Sequence, residues 1–270
     1  MFTKLLTYEI RSRYRTDARS FGAFIAVIAV AAGIVAAGLP GISGSTATLA
    51  YALCALTPVA CAIAAMADYW KTLYGQRGYF MMSLPVSGTT IFWAKTTRMV
   101  IECLLALALA VGGIIAVASA AAWSDGISLA EYTAGPRSLV AGVPTSTVAI
   151  MIVAQVLVSL SWLVQGSAVM SIGAEGRFNH MGFGAPIIGF VLVYIVNQVL
   201  STVGTFFLPL SVTTDGHFST EIMWTSYRAT MGTDGQPNVI GIGSYILVPL
   251  FALFLGLWAS RSIEKHTSLR

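Results

Sequence analysis

The sequence is short of charge. Only 10% of its 270 residues are Asp, Glu, Lys or Arg, while 56% are hydrophobic; ordinary soluble domains carry roughly 25% charged residues. That ratio excludes a soluble globular chain and points to an integral membrane protein. Lysine is scarcer still: Lys4, Lys71, Lys95 and Lys265 are the only ones, and none follows a glycine. A phosphate-binding loop needs Gly-Lys-[Ser/Thr], so the chain hydrolyses no ATP by that mechanism. The three histidines, His180, His217 and His266, are far apart, and no HExxH occurs, which argues against a zinc protease. Serines in the apolar runs, such as Ser159, Ser161 and Ser167, have no His in any run to activate them. The three cysteines, Cys54, Cys61 and Cys103, lie in or beside apolar runs and read as small buried hydrophobes, not as disulfides or metal ligands. No catalytic, cofactor or metal site is expected in the chain itself.

What the chain has is apolar length. About 20 residues at 1.5 Å rise cross a hydrocarbon core. Six runs meet that need: about 21–39, 47–67, 99–122, 147–172, 183–208 and 239–260. The first, with 19 uncharged residues, exceeds the 7–15 residues of a secretory signal's apolar region and is read as a span. The expectation is an all-α integral membrane protein, 1–270 forming one transmembrane domain of six helices.

The leader, residues 1–19, holds Lys4, Arg11, Arg13, Arg15 and Arg19 against Glu9 and Asp17. On a helical wheel Phe2, Leu6 and Ile10 share one face, and Lys4, Arg11 and Arg15 cluster opposite them. This predicts an amphipathic elbow helix lying in the membrane interface, cations toward the headgroups. Cations also set orientation. Thirteen Lys and Arg fall in the leader, residues 68–98, the 173–182 connection and the tail; only Arg137 and Arg228 fall on the other side. The positive-inside bias then puts both termini and the 68–98 stretch in the cytosol. The net charge of +4 follows from this topology and is not a nucleic-acid signal. Residues 209–238 form an outer loop, with Phe218, Ile222, Tyr227 and Met231 at helical spacing between turns at Asp215-Gly216 and Asp234-Gly235; a short interfacial helix is expected there.

The spans lack the midplane Asp, Glu or His of an ion-coupled carrier. Glu102 is the one charge in the six runs, four residues from Arg98, and reads as an i,i+4 partner. With Lys4, Arg11 and Arg15, these two are expected to anchor helices at the membrane interface. Gln155, Gln165, Asn197 and Gln198 are candidates to line a pathway; the competing reading is hydrogen bonding between helices. Asn197 and Gln198 are adjacent and point about 100° apart.

One stretch is dense in turn formers between two apolar runs: LYGQRGYFMMSLPVSGTTIFWAK from Leu73 to Lys95. Its aromatics and methionines suit adaptable apolar contact with a soluble partner. It resembles a pattern of bacterial type-2 ABC exporter membrane subunits: Leu73-Tyr74-Gly75, Gly78-Tyr79, Leu84-Pro85-Val86-Ser87, then Lys95. Members of that family often have acids where this chain has Gln76-Arg77. The opening FTKLLTYEIRSRYR is similar to their basic elbow. The resemblance implies a permease subunit without its own ATPase site. It would form a dimer with a second permease chain, in the lipid bilayer of the cytoplasmic membrane. A separate nucleotide-binding ATPase subunit, using ATP and Mg, would dock on a coupling segment at 73–90 through Tyr74, Gly75, Arg77, Gly78, Tyr79, Phe80, Leu84 and Pro85. A non-transport membrane scaffold that recruits a cytosolic protein is the alternative.

Overall fold

A computed structural model describes residues 1–265 other than Gln76, Arg77, Tyr79, Phe80, Met82, Leu84, Thr233 and Asp234. Its long helices are α1 (Phe2–Ala36), α2 (Ser43–Leu73), α3 (Gly88–Ser124), α6 (Thr145–Gly173), α7 (Gly184–Phe207) and α9 (Ser244–Lys265). Short helices α4 (Leu129–Tyr132) and α5 (Ala134–Ser138) follow α3, and α8 (Met223–Thr230) precedes α9. All six long helices are long and apolar enough to cross a membrane. That is the pattern of a multi-pass membrane protein.

Three differences from the sequence reading have physical causes. The first helix is continuous from Phe2 to Ala36, with no break between the basic leader and the first apolar run. At 1.5 Å per residue it is about 52 Å long, well beyond a hydrocarbon core of about 30 Å. It stops short of Leu39 because Gly38 adopts a positive φ of 61°, and Ala37 and Gly38 donate back to the carbonyls of Gly33 and Val35.

The fold is not purely helical. Strands β1 (Ser211–Thr213), β2 (Phe218–Ser219) and β3 (Val239–Gly241) form an antiparallel sheet in the order β2-β1-β3. The sixth apolar run therefore begins as a strand, and α9 starts only at Ser244. The helix expected around 218–231 shrinks to α8, because Phe218 and Ser219 pair with Val212 and Ser211. The turn at Asp215-Gly216 is present: Gly216 has φ 81° and donates to Thr213 O. The other expected turn includes Asp234, outside the described residues.

The chain divides into two compact units. Unit one comprises 1–69 and 94–139: α1, most of α2, most of α3, and α4–α5. Its apolar centre packs Ile28 of α1 against Ala50 and Cys54 of α2 and Ala110 and Val117 of α3. Gly113 lets α2 and α3 approach; a Cβ there would sit 2.7 Å from Cys54 Sγ. Unit two comprises 70–93 and 140–270. Within it α9 packs along α6 and α7, and α8 and the sheet sit against α7.

Candidate functional site

Unit one carries a cluster of ionic side chains where the first half of α1 meets the end of α2 and the start of α3. Lys95 Nζ is 3.0 Å from Glu9 Oε1. Arg98 Nη1 reaches Glu102 Oε2 at 3.1 Å and its Nη2 reaches Asp68 Oδ2 at 3.1 Å. Arg13 pairs with Asp68, and with Asp17 at 3.4 Å. Glu9, Lys95, Arg98 and Glu102 are all buried, and Arg13, Asp17 and Asp68 are partly exposed. The low-dielectric surroundings make pairing obligatory for the four buried members, because an unpaired buried charge costs several kcal/mol. Arg98 is placed as a fork between two carboxylates, a geometry its planar guanidinium suits.

Two of the residues expected at the membrane interface belong to this network. Arg98 and Glu102 do pair at i,i+4 along α3. They are buried at 4% and 8% exposure and take part in the contacts that link α1, α2 and α3. Lys4, Arg11 and Arg15 are exposed. Sequence reasoning missed Glu9, Arg13, Asp17, Asp68 and Lys95 as members of one network. A signal was present: Glu9, Arg13 and Asp17 recur every four residues, Arg13 and Asp17 within the sector of the wheel assigned to Phe2, Leu6 and Ile10 and Glu9 at its edge. Charges at that spacing on an apolar face need partners.

Unit two holds the stretch that joins α2 to α3. Trp70 and Tyr74 have ring centroids 5.2 Å apart, and Trp70 meets Phe183 edge-on at 4.9 Å, so the exit from α2 is packed on the connection before α7. Gly75 sits against α2: a Cβ would stand 2.5 Å from Lys71 O. Gly78, which is buried, donates to Gly75 O at 2.8 Å. Pro85 is exposed. Arg77, Tyr79, Phe80 and Leu84 lie outside the described residues.

The re-entry into α3 is held twice. Ser87 Oγ accepts from Thr90 N–H at 3.3 Å, the bond of a helix N-cap. Glu264 of α9 accepts from both Thr89 N–H and Thr89 Oγ1 at 3.3 and 3.1 Å, putting a carboxylate at the positive end of the helix dipole. Gly88 permits this closeness, since a Cβ there would lie 2.9 Å from Glu264 N.

The polar residues of the spans separate into two kinds. Gln165 and Asn197 are buried and exchange reciprocal amide hydrogen bonds between α6 and α7, and Gln165 also donates to Val248 O on α9 at 3.4 Å. Gln155 and Gln198 are exposed, the first accepting from Tyr245 Oη at 3.1 Å and the second donating to Tyr194 Oη at 2.8 Å. Gln165 and Asn197 thus join three helices.

No protein-family model, no curated protein and no solved structure matches the chain. Among the described residues no group of three or more His, Cys, Asp and Glu is placed to hold a metal ion.

Proposed function

We propose that the chain is the membrane-spanning subunit of an ATP-driven exporter of the type-2 ABC class. In this reading it works as a dimer in the cytoplasmic membrane. The 73–90 segment faces the cytosol and receives the force of a separate ATPase. The observation that carries the reading is how that segment is mounted. It enters from α2 through the Trp70–Tyr74–Phe183 packing and leaves into α3 through the Ser87 cap and the Glu264 clamp. A link fixed at both ends passes a push on to the helices that flank it, whereas a slack loop would absorb it.

Energy supply supports the same reading. Glu102, the one charge within the six apolar runs, is occupied by Arg98, so it is poorly suited to carrying protons across. An external source of work is then needed. The exposed Lys4, Arg11 and Arg15 on α1 fit contact with anionic headgroups on the cytosolic side.

The test is affinity purification in mild detergent from the native host, followed by mass spectrometry. The expected result is co-recovery of a soluble ATPase with a phosphate-binding loop, lost when residues 74–90 are replaced by a Gly/Ser linker. A chain that purifies alone, at every detergent strength, would remove the exporter reading and favour a scaffold.

A further inference from the structure

Unit two contains an apolar cavity of about 280 Å³ between α6, α7 and α9. Val169, Ile188, Leu192, Leu255 and Trp258 form much of its wall. A second, polar hollow opens beside it, lined by Glu175, Arg177, Arg261, Ser262 and Lys265, and again by Trp258. The indole is common to both. Along α9, Trp258, Arg261, Ser262 and Lys265 follow the i, i+3, i+4, i+7 spacing of a single helix face.

The charges of the hollow do not balance. Glu175 is buried, and both its oxygens are in use: Oε1 accepts from Ser262 Oγ at 2.8 Å and Oε2 pairs with Arg177 Nε at 2.6 Å. Arg177 in turn stands 4.6 Å over the Phe178 ring. Arg261 and Lys265 are exposed, and among the described residues neither has a carboxylate partner. The nearest acid in sequence, Glu264, is turned to Thr89. Two cations four residues apart on a helix repel each other, and an anion between them removes that penalty.

We propose that this pair of cavities binds one anionic phospholipid, its phosphate between Arg261 and Lys265 and one acyl chain in the apolar cavity. Three features select that occupant. The cations stand at the end of a membrane-length helix, where headgroups lie. The apolar cavity begins at Trp258, one turn deeper into the helix, and an indole suits the boundary between headgroup and acyl chain. A soluble anion would use only the hollow and leave the cavity unfilled, whereas a zwitterionic lipid would bring its own ammonium against Arg261 and Lys265. The proposal rests on the six helices crossing a bilayer and not on the ATPase reading, so either can fail without the other.

The test is native mass spectrometry of the full chain, delipidated in mild detergent and offered equal amounts of phosphatidylglycerol and phosphatidylcholine with matched chains. The wild type is expected to retain phosphatidylglycerol preferentially. Arg261→Gln with Lys265→Gln should reduce that preference by roughly thirtyfold, from the loss of two headgroup cations. Leu255→Trp, which adds bulk at a buried position of the cavity wall, should reduce retention of phosphatidylglycerol while leaving both cations in place. Equal retention of the two lipids by the wild type would overturn the proposal without recourse to any variant. Full displacement of phosphatidylglycerol by inorganic phosphate would also overturn it, by showing a soluble-anion site instead.

Discussion

Lys95 Nζ lies 3.0 Å from Glu9 Oε1, and both side chains are more than nine-tenths buried. This contact joins the first helix to the third across most of a hundred residues of sequence. Losing one partner of a buried pair costs about 3–5 kcal/mol, whereas replacing both by apolar groups is often neutral. Lys95→Met alone should therefore lower the thermal midpoint in detergent sharply. Lys95→Met combined with Glu9→Leu should recover most of the loss, since Arg98 retains Asp68 and Glu102. A double variant as unstable as the single one would show that Glu9 acts chiefly through its other neighbour, Arg98, whose Nε stands 4.0 Å from Glu9 Oε2.

Arg98 supplies the second prediction. Its two terminal nitrogens serve Asp68 on α2 and Glu102 on α3 at the same distance, 3.1 Å. A lysine carries one point charge and cannot reproduce that fork. Arg98→Lys should cost about 1.5–3 kcal/mol, the worth of one charged hydrogen bond. Arg98→Lys in an Asp68→Asn background should cost clearly less, because the contact to Asp68 is already weakened. Chemical or thermal unfolding of the four proteins would give the coupling directly, and additive losses would mean that Arg98 does not bridge the two acids.

These ionic contacts mark where the sequence could be read and where it could not. The Arg98–Glu102 pair was legible because i,i+4 spacing on a helix is a local property. The Glu9–Lys95 pair was not, since only tertiary packing brings α1 and α3 together; the spacing of Glu9, Arg13 and Asp17 indicated that partners were needed without naming them. The six long helices were legible because bilayer thickness dictates their length. Strand β3 was not: Val239, Ile240 and Ile242 look like the start of an apolar helix, and periodicity cannot separate helix from strand in so short a run. The Glu264 clamp on Thr89 depends on a residue 175 positions away and leaves no local trace.

Gln165 and Asn197 give a third prediction. Asn197→Leu removes one side of a reciprocal amide pair and leaves Gln165, at 1% exposure, with Val248 O as its one remaining partner. The expected loss is about 1–3 kcal/mol, the cost of a buried polar group left short of partners. The Gln165→Leu, Asn197→Leu double variant should be more stable than either single variant. The coupling should fall near the 0.6 kcal/mol average of such pairs in membranes, with an upper limit of about 1.7. Strictly additive losses in a double-mutant cycle would mean that the two amides do not depend on each other.

The clamp on α3 is testable apart from any partner. Glu264 accepts two hydrogen bonds from Thr89 at the helix start and is itself exposed. Glu264→Ala should cost about 1 kcal/mol, as for the loss of an N-cap. Hydrogen exchange should rise at residues 85–91 and stay unchanged in α6. Glu264→Gln should retain part of the protection, because its amide oxygen still accepts while the charge facing the dipole is gone. Unaltered exchange in both variants would mean that Ser87 alone fixes the start of α3.

Glycine positions at the sheet allow a sharper contrast. A Cβ on Gly204 would sit 2.6 Å from Ser244 N, and one on Gly241 would overlap the carbonyl of Thr205. Both obstacles are backbone atoms, so no rotamer change relieves them. The only relief is to push β3 and the start of α9 away from α7. Gly204→Ala and Gly241→Ala should each destabilise by about 1–3 kcal/mol or more. Gly22 of α1 has nothing within 4 Å of its would-be Cβ. Gly22→Ala should be neutral or stabilising by up to about 1 kcal/mol, the helix-propensity gain. Thermal midpoints of the three single variants decide the matter: equal effects at all three positions would mean that α7 and β3 are not in backbone contact, and a loss confined to Gly204 and Gly241 would establish that they are.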